Sequence, residues 1–266
     1  VTVPTDITQD TSGQSLGTYL LAAMHQIMLW AEADVKGSQL VINFSFGFVC
    51  GPKDGSSKLN RVIARLLESR NKAELPTALV VPMGNSAKSR AVVRENLAPG
   101  KFLEVDWAIQ PDDRSPNFIE IFSRGAPLRV ELIAPSDDVE NLSMNLGEDP
   151  GQCQKSSLLK SGEDARPIAV CSEWKPEEGS SWDSRGFIAL GATRDANGSD
   201  TTVPSGYWRL RITNLGETCT LVEAMIQRDD APGTYPANGR QSYFDSYYTD
   251  TRAEPCAEYG ITHYNT

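Results

Sequence analysis

Two apolar stretches end in residues that a buried strand has no need of. ALVVPM, residues 78–83, runs into Gly84 and Asn85, and VINF, residues 41–44, runs into Ser45, Phe46 and Gly47. An asparagine delivered to the tip of a strand after a glycine presents an amide donor to whatever lies beyond that tip. Aimed at a carbonyl oxygen that is gaining charge, one such donor is worth roughly 3–4 kcal/mol of transition-state stabilisation. The plainer role is a turn, since glycine and asparagine both tolerate positive φ. Ser45, Phe46 and Gly47 offer a main-chain edge of the kind to which an extended peptide adds, with side-chain pockets supplying selectivity.

The elements that must carry these residues are readable from periodicity. Between Ser15 and Ala33, Leu16, Leu20, Met24, Ile27, Met28 and Ala31 recur at helical spacing, and Ser12 or Ser15 is placed to cap that helix. Residues 39–47, QLVINFSFG, predict a short buried strand, GPKDGSS a turn, and LNRVIARLLESR a second amphipathic helix capped by Ser56 or Ser57. TALVVP predicts another continuous apolar strand. Helix, strand, helix, strand with nearly unbroken apolar strands predicts a parallel sheet covered on both faces, whose ligands bind beyond the strands' carboxyl ends. Alternation places Phe44 and Phe46 on one face, with Phe44 expected in the core.

Past Gly100 the texture changes. FLEVDWAIQ, NFIEIFS, PLRVELIAP, RPIAVCSEW, GFIALGATR, YWRLRITN and CTLVEAMIQ alternate and are separated by loops rich in Asp, Gly, Ser and Pro, which predicts a β-sandwich. The expected organisation is α/β plus all-β. A partial parallel sheet with flanking helices occupies residues 1–100 and a sandwich 101–230. The irregular segment 231–266 is a candidate to return to the α/β part.

Composition narrows the function. In 266 residues the formal charge is −10, which argues against nucleic-acid phosphates or an anionic membrane as partner. No window approaches the length of a membrane span, and VTVPTDITQDTSG has neither the basic start nor the apolar run of a signal peptide. Cys50, Cys153, Cys171, Cys219 and Cys256 lack paired metal-ligand spacing and leave cytoplasmic and secreted compartments both open. The acidic pairs Asp112–Asp113, Asp137–Asp138 and Asp229–Asp230 read first as solvated turns. Calcium is the one candidate ion for them, and no EF-hand pattern is present. Asn141 and Asn197 stand in glycosylation sequons. Trp107, Trp174, Trp182 and Trp208 could form a sugar platform, although packing in the sandwich is the expected role.

VINFSFG, the turn GPKDGSS, an amphipathic helix and ALVVPMGNS, together residues 39–90, resemble the central part of the subtilisin-like serine proteases (peptidase family S8). There a strand ending in Ser-x-Gly, a surface helix and a strand ending in Gly-Asn follow one another. The resemblance implies that Ser45, Phe46 and Gly47 border a peptide-binding cleft, that Pro82, Met83 and Gly84 line a specificity pocket, and that Asn85 is the oxyanion-hole donor. This family usually has small residues where Pro82 and Met83 stand. A weaker resemblance links residues 103–227, through PLRVELIAPSDD and GYWRLRITNLGE, to the jelly-roll modules attached to many such enzymes.

The triad such an enzyme needs is missing. His25 lies within the first helix, His263 lacks a following Gly-Thr, Asp10 in DTSG reads as a cap or turn, and no Gly-Thr-Ser-x-Ala occurs. The resemblance therefore implies the central part of a serine endopeptidase, inactive as an isolated chain, that takes a peptide or protein substrate. The alternative is a noncatalytic sandwich module recognising protein or carbohydrate. A partial sheet also exposes strand edges, through which two copies could pair as a homodimer.

Overall fold

The computed structural model describes residues 16–34, 37–45, 47, 50–82, 87–148, 154–158, 167–194, 202–228 and 239–249. The described chain is mostly β. It holds two helices, a two-stranded parallel sheet and two antiparallel sheets of six and five strands.

The α/β part opens with α1, Leu16–Asp34, followed by β1, Leu40–Asn43, α2, Lys58–Lys72, and β2, Thr77–Val80. Ser57 caps α2, its side chain accepting from the Asn60 amide at 3.1 Å. Leu20, Met24 and Met28 of α1 pack against Ile42, with Leu40, Phe44 and Leu79 from the sheet and Ile63, Leu66 and Leu67 from α2 around them. Phe44 thus lies where alternation placed it. Arg70 ties three elements together, donating to Thr77 Oγ1 at 2.9 Å and to Glu32 Oε1 at 2.8 Å.

Both helices pack on the same face of the sheet, which corrects the expectation of a sheet covered on both. Leu40, Ile42 and Phe44 point toward the helices. The intervening Val41, 69% exposed, and Val80, 50% exposed, point away with nothing over them among the described residues. Apolar strand composition registers that a strand is hydrophobic, but not which of its faces finds a neighbour.

The remaining strands form the sandwich: β3, Val92–Leu97; β4, Phe102–Ile109; β5, Asn117–Arg124; β6, Leu128–Ile133; β7, Leu142–Leu146; β8, Gln154–Leu158; β9, Pro167–Trp174; β10, Ser184–Leu190; β11, Gly206–Asn214; β12, Thr220–Ile226; β13, Tyr243–Thr249. The sheets run β3-β12-β5-β10-β9-β8 and β13-β4-β11-β6-β7. All seven segments expected from alternation are strands. The larger sheet begins upstream of Gly100, with β3. The expectation that residues 231–266 return to the α/β part is corrected for 243–249, which pair with β4.

Inward positions of the two sheets make one continuous core. Val105, Trp107, Val130, Leu132, Trp208, Leu210 and Ile212 of one sheet meet Ile119, Ile121, Ile188, Leu190, Val222, Ala224 and Ile226 of the other. Trp208 is completely buried, and its indole Nε1 finds the Pro204 carbonyl at 3.0 Å, so burying that aromatic leaves no donor stranded. At Gly186 a Cβ would come within 2.9 Å of Met144 Cε, so a glycine lets the sheets close there. Asn214 is fully buried and satisfied, donating to the Leu97 and Thr218 carbonyls and accepting from the Gly216 amide.

Candidate functional site: the paired strand ends

Parallel pairing brings the two chemically unusual strand ends to the same place. β1 and β2 run in register from Leu40↔Thr77 to Asn43↔Val80, and the Phe44 amide still donates to the Val80 carbonyl at 2.9 Å. Ser45 and Gly47, both exposed, continue from β1, and the Asn43 side-chain amide donates to Ser45 Oγ at 3.1 Å. Val81 and Pro82, also exposed, continue from β2, and a Cβ added at Gly47 would sit 4.0 Å from Pro82 Cγ. Of the expected site, Ser45, Gly47 and Pro82 are therefore neighbours. Phe46, Met83, Gly84 and Asn85 lie outside the described residues. Among the described residues β1 pairs only with β2, so its other edge has no strand beside it there.

Each strand end is followed by a tie to the sandwich that residue spacing does not reveal. After β1, the loop before α2 lies against the β9–β10 connection and β12. The Asp54 carboxylate accepts from Ser180 Oγ at 2.8 Å, Ser181 N at 2.7 Å and Ser181 Oγ at 3.1 Å, while its other oxygen takes the Ser56 amide at 2.9 Å. Partial burial raises this carboxyl. Hydrogen bonds from Ser56, Ser181 and Ser180 prevail and hold it well below the usual carboxylate range. Nearby, Arg61 meets Glu177 at 3.4 Å, Lys53 meets Glu223 at 4.0 Å, and Cys50 Sγ donates to the Met225 carbonyl at 3.5 Å.

After β2 the chain passes through a single 3-10 turn, Ala87–Ser89, to Arg90. Arg90 has a φ of 51°, the left-handed region that an arginine seldom occupies. Its carbonyl accepts from the Phe244 amide at 2.8 Å, its guanidinium lies 4.3 Å from the centre of the Tyr243 ring, and its Nη1 donates to Asp245 Oδ1 at 2.8 Å. The same Asp245 carboxylate, with Tyr243 behind it, pushes the Tyr207 phenol above its ordinary value. GPKDGSS carries only the composition of a turn, and QSYFDSYYT, within 231–266, has no clear period, so neither tie has a local signal in the sequence.

The other candidates separate clearly. His25 is exposed on α1, outside the packed face. Asp113 is completely buried and engaged by Ser115 N and Oγ, Asn117 Nδ2 and the Arg240 amide, a structural hub in place of a solvated turn. Asp112 meets Arg194 at 3.4 Å, and the Asp138 amide donates to Ser136 Oγ in an exposed turn. Asp229, Asp230, Asn197 and His263 lie outside the described residues. Among the described residues no group of three or more His, Cys, Asp or Glu is gathered as a metal site, and no helix is long and apolar enough to cross a membrane. Cys171 is buried in the sandwich core and Cys219 is disulfide-bonded. Trp107, Trp182 and Trp208 are buried. Trp174 is 43% exposed and stacks on Phe187 at 5.2 Å between ring centres, with Phe187 stacked in turn on Phe118.

Comparison with known proteins bears on the fold. No protein-family model matches the chain, and no curated protein matches it. Among solved structures, the CspB protease of Clostridium perfringens is similar with a TM-score of 0.61 at 18% identity, over 84% of this chain and 40% of that one. The chain thus shares a fold with part of a protease structure and spans two fifths of its length. The resemblance to subtilisin-like proteases drawn from residues 39–90 is corrected by these findings. No family model supports it, the similarity is one of fold at low identity, and the described structure is dominated by antiparallel sheets with an α/β part of only two strands. Short strand-end motifs such as Ser-x-Gly and Gly-Asn recur wherever strands meet turns, and do not establish descent.

Proposed function

We propose that this chain is part of a protein that hydrolyses peptide bonds, that it supplies the surface on which an extended substrate lies, and that alone it cleaves nothing. One observation carries this reading. Among the described residues β1 is paired on one side only, and its exposed continuation, Ser45 and Gly47, runs beside Pro82 at the carboxyl end of a parallel pair. A peptide adding to that edge gains main-chain hydrogen bonds. In this reading Ser45, Phe46 and Gly47 border the peptide, Pro82, Met83 and Gly84 line the pocket beside it, and Asn85 donates to the carbonyl oxygen of the bond to be broken. The fold shared with a protease structure agrees with it. The general base and nucleophile would come from elsewhere in the protein, because the sequence carries neither an activated serine motif nor a histidine placed to serve one.

The test is fluorescence polarisation with fluorescein-labelled casein, an unfolded general substrate, together with a serine-directed fluorophosphonate. The expected result is saturable binding, weakened about tenfold in Asn85→Ala by loss of one hydrogen bond to a polarised carbonyl, and no covalent labelling. Binding unaffected by Asn85→Ala, or stoichiometric labelling, overturns the reading. Exposure of Trp174 favours a second reading, a sandwich module that binds protein or carbohydrate without catalysis. Binding that survives Asn85→Ala and is lost in Trp174→Ala selects it. The open edge of β1 could equally accept a second copy of the chain, and sedimentation at increasing concentration reads out such a dimer.

A further inference from the structure

We infer that Asp54 and Arg90 are positioning residues that fix the two strand ends against the sandwich, so that the peptide edge has a set place relative to the pocket beside it. The inference rests on the peptide-edge reading of Ser45, Gly47 and Pro82. A sheet that, among the described residues, has two strands and one bare face is a poor platform, because neither its twist nor its strand ends are held there by neighbouring strands. The chain that follows each strand is tied to the sandwich. Asp54 reaches Ser181 across 127 positions of sequence, and Arg90 reaches Asp245 across 155. The two ties land on different sheets, the first on the connection between β9 and β10 of the larger and the second on β13 of the smaller.

Neither tie looks incidental. The Asp54 carboxylate has acceptor contacts to four donors on three serines, and its loop is seconded by Lys53 on Glu223 and by Cys50 on the Met225 carbonyl. Arg90 holds a left-handed backbone, a conformation that persists in a residue with a side chain only where the surroundings over-determine it. Here they do: main chain to Phe244, ring stacking on Tyr243 and an ion pair to Asp245 act on one residue, and the neighbouring Ala91 carbonyl accepts from the Ile226 amide at 2.7 Å. The strain therefore sits just where the chain coming from β2 enters the sandwich.

The experiment compares wild type, Asp54→Asn, Arg90→Gly and Arg90→Lys for casein binding by polarisation, for amide exchange at Ser45 and Gly47 with and without casein, and for thermal midpoint. Asp54→Asn keeps the shape and loses the charge. Arg90→Gly relieves the backbone and removes the ties, and Arg90→Lys keeps the charge but not the planar stack. Expected is roughly tenfold weaker casein binding in Asp54→Asn and Arg90→Gly, partial recovery in Arg90→Lys, and less casein-induced protection of the Ser45 and Gly47 amides in the weakened variants while sandwich amides stay protected. A lower midpoint with wild-type affinity would make both residues structural only and overturn the inference. Wild-type protein that binds casein without protecting Ser45 and Gly47 overturns the peptide-edge reading itself, and the inference with it.

Discussion

The sandwich and the α/β part bury their residues on different terms. The sandwich closes two sheets over a core in which Trp107, Trp208 and Phe244 are wholly out of water. The α/β part covers one face of two short strands with two helices and leaves Val41, Val80 and Val81 exposed on the rest. Parallel sheets are ordinarily buried on both faces. The smaller part thus adds to its one-sided core the loops that tie it to the larger, and those loops flank the strand ends where peptide binding is proposed.

That asymmetry is open to attack in several ways. The largest effect is expected from Trp208→Ala, at about 3–5 kcal/mol for removing a fully buried aromatic. Because the α/β part leans on the sandwich, protection of its amides should fall together with that of β4 and β11, as read by hydrogen exchange. Protection kept in α1 and α2 while the sandwich opens would show the dependence to be wrong. Met24→Ala should cost about 2–4 kcal/mol within the α/β part and leave β4 and β11 protected, so the same measurement separates one-way from mutual dependence.

A smaller loss, about 1 kcal/mol at neutral pH, is expected for Asp54→Ala in urea unfolding, kept small because Asp54 is exposed and water screens its charge. Its sign with pH follows from the depressed carboxyl. A group held lower in the folded state than in the unfolded one contributes stability above the ordinary carboxylate value, and that contribution fades as pH falls below about 4. The wild-type advantage over Asp54→Ala should therefore shrink from pH 7 to pH 3, and a constant difference would argue against the tie. The smallest effect, about 0.5–1 kcal/mol, belongs to Ser57→Ala, which removes the cap of α2 and should lower helix protection locally.

Much of the sandwich was legible because alternation is a local signal: β4, β5, β6, β9, β10, β11 and β12 each show it within a few residues. β3 carries Arg94, Glu95 and Asn96 in succession, β8 is the polar QKSSL, and β13 alternates tyrosines with Asp245, so their partners rather than their composition make them strands. α1 and α2 were legible from their stripes, while the bare side of their sheet was not, since an apolar run carries no record of which face is covered. At the site, Ser45, Gly47 and Pro82 were recognisable by type and by place at strand ends. Asp54 and Arg90 were not, because their meaning lies in contacts to Ser181 and Asp245 far along the chain. The family likeness drawn from the strand ends went further than two short motifs can carry.

The most direct measurement is hydrogen exchange of wild-type protein, residue by residue, with and without casein. Slower exchange at Ser45 and Gly47, along the unpaired edge of β1, is the predicted result. Protection appearing instead around Trp174 on β9, with the β1 edge unchanged, would contradict the peptide-edge reading and place binding on the sandwich.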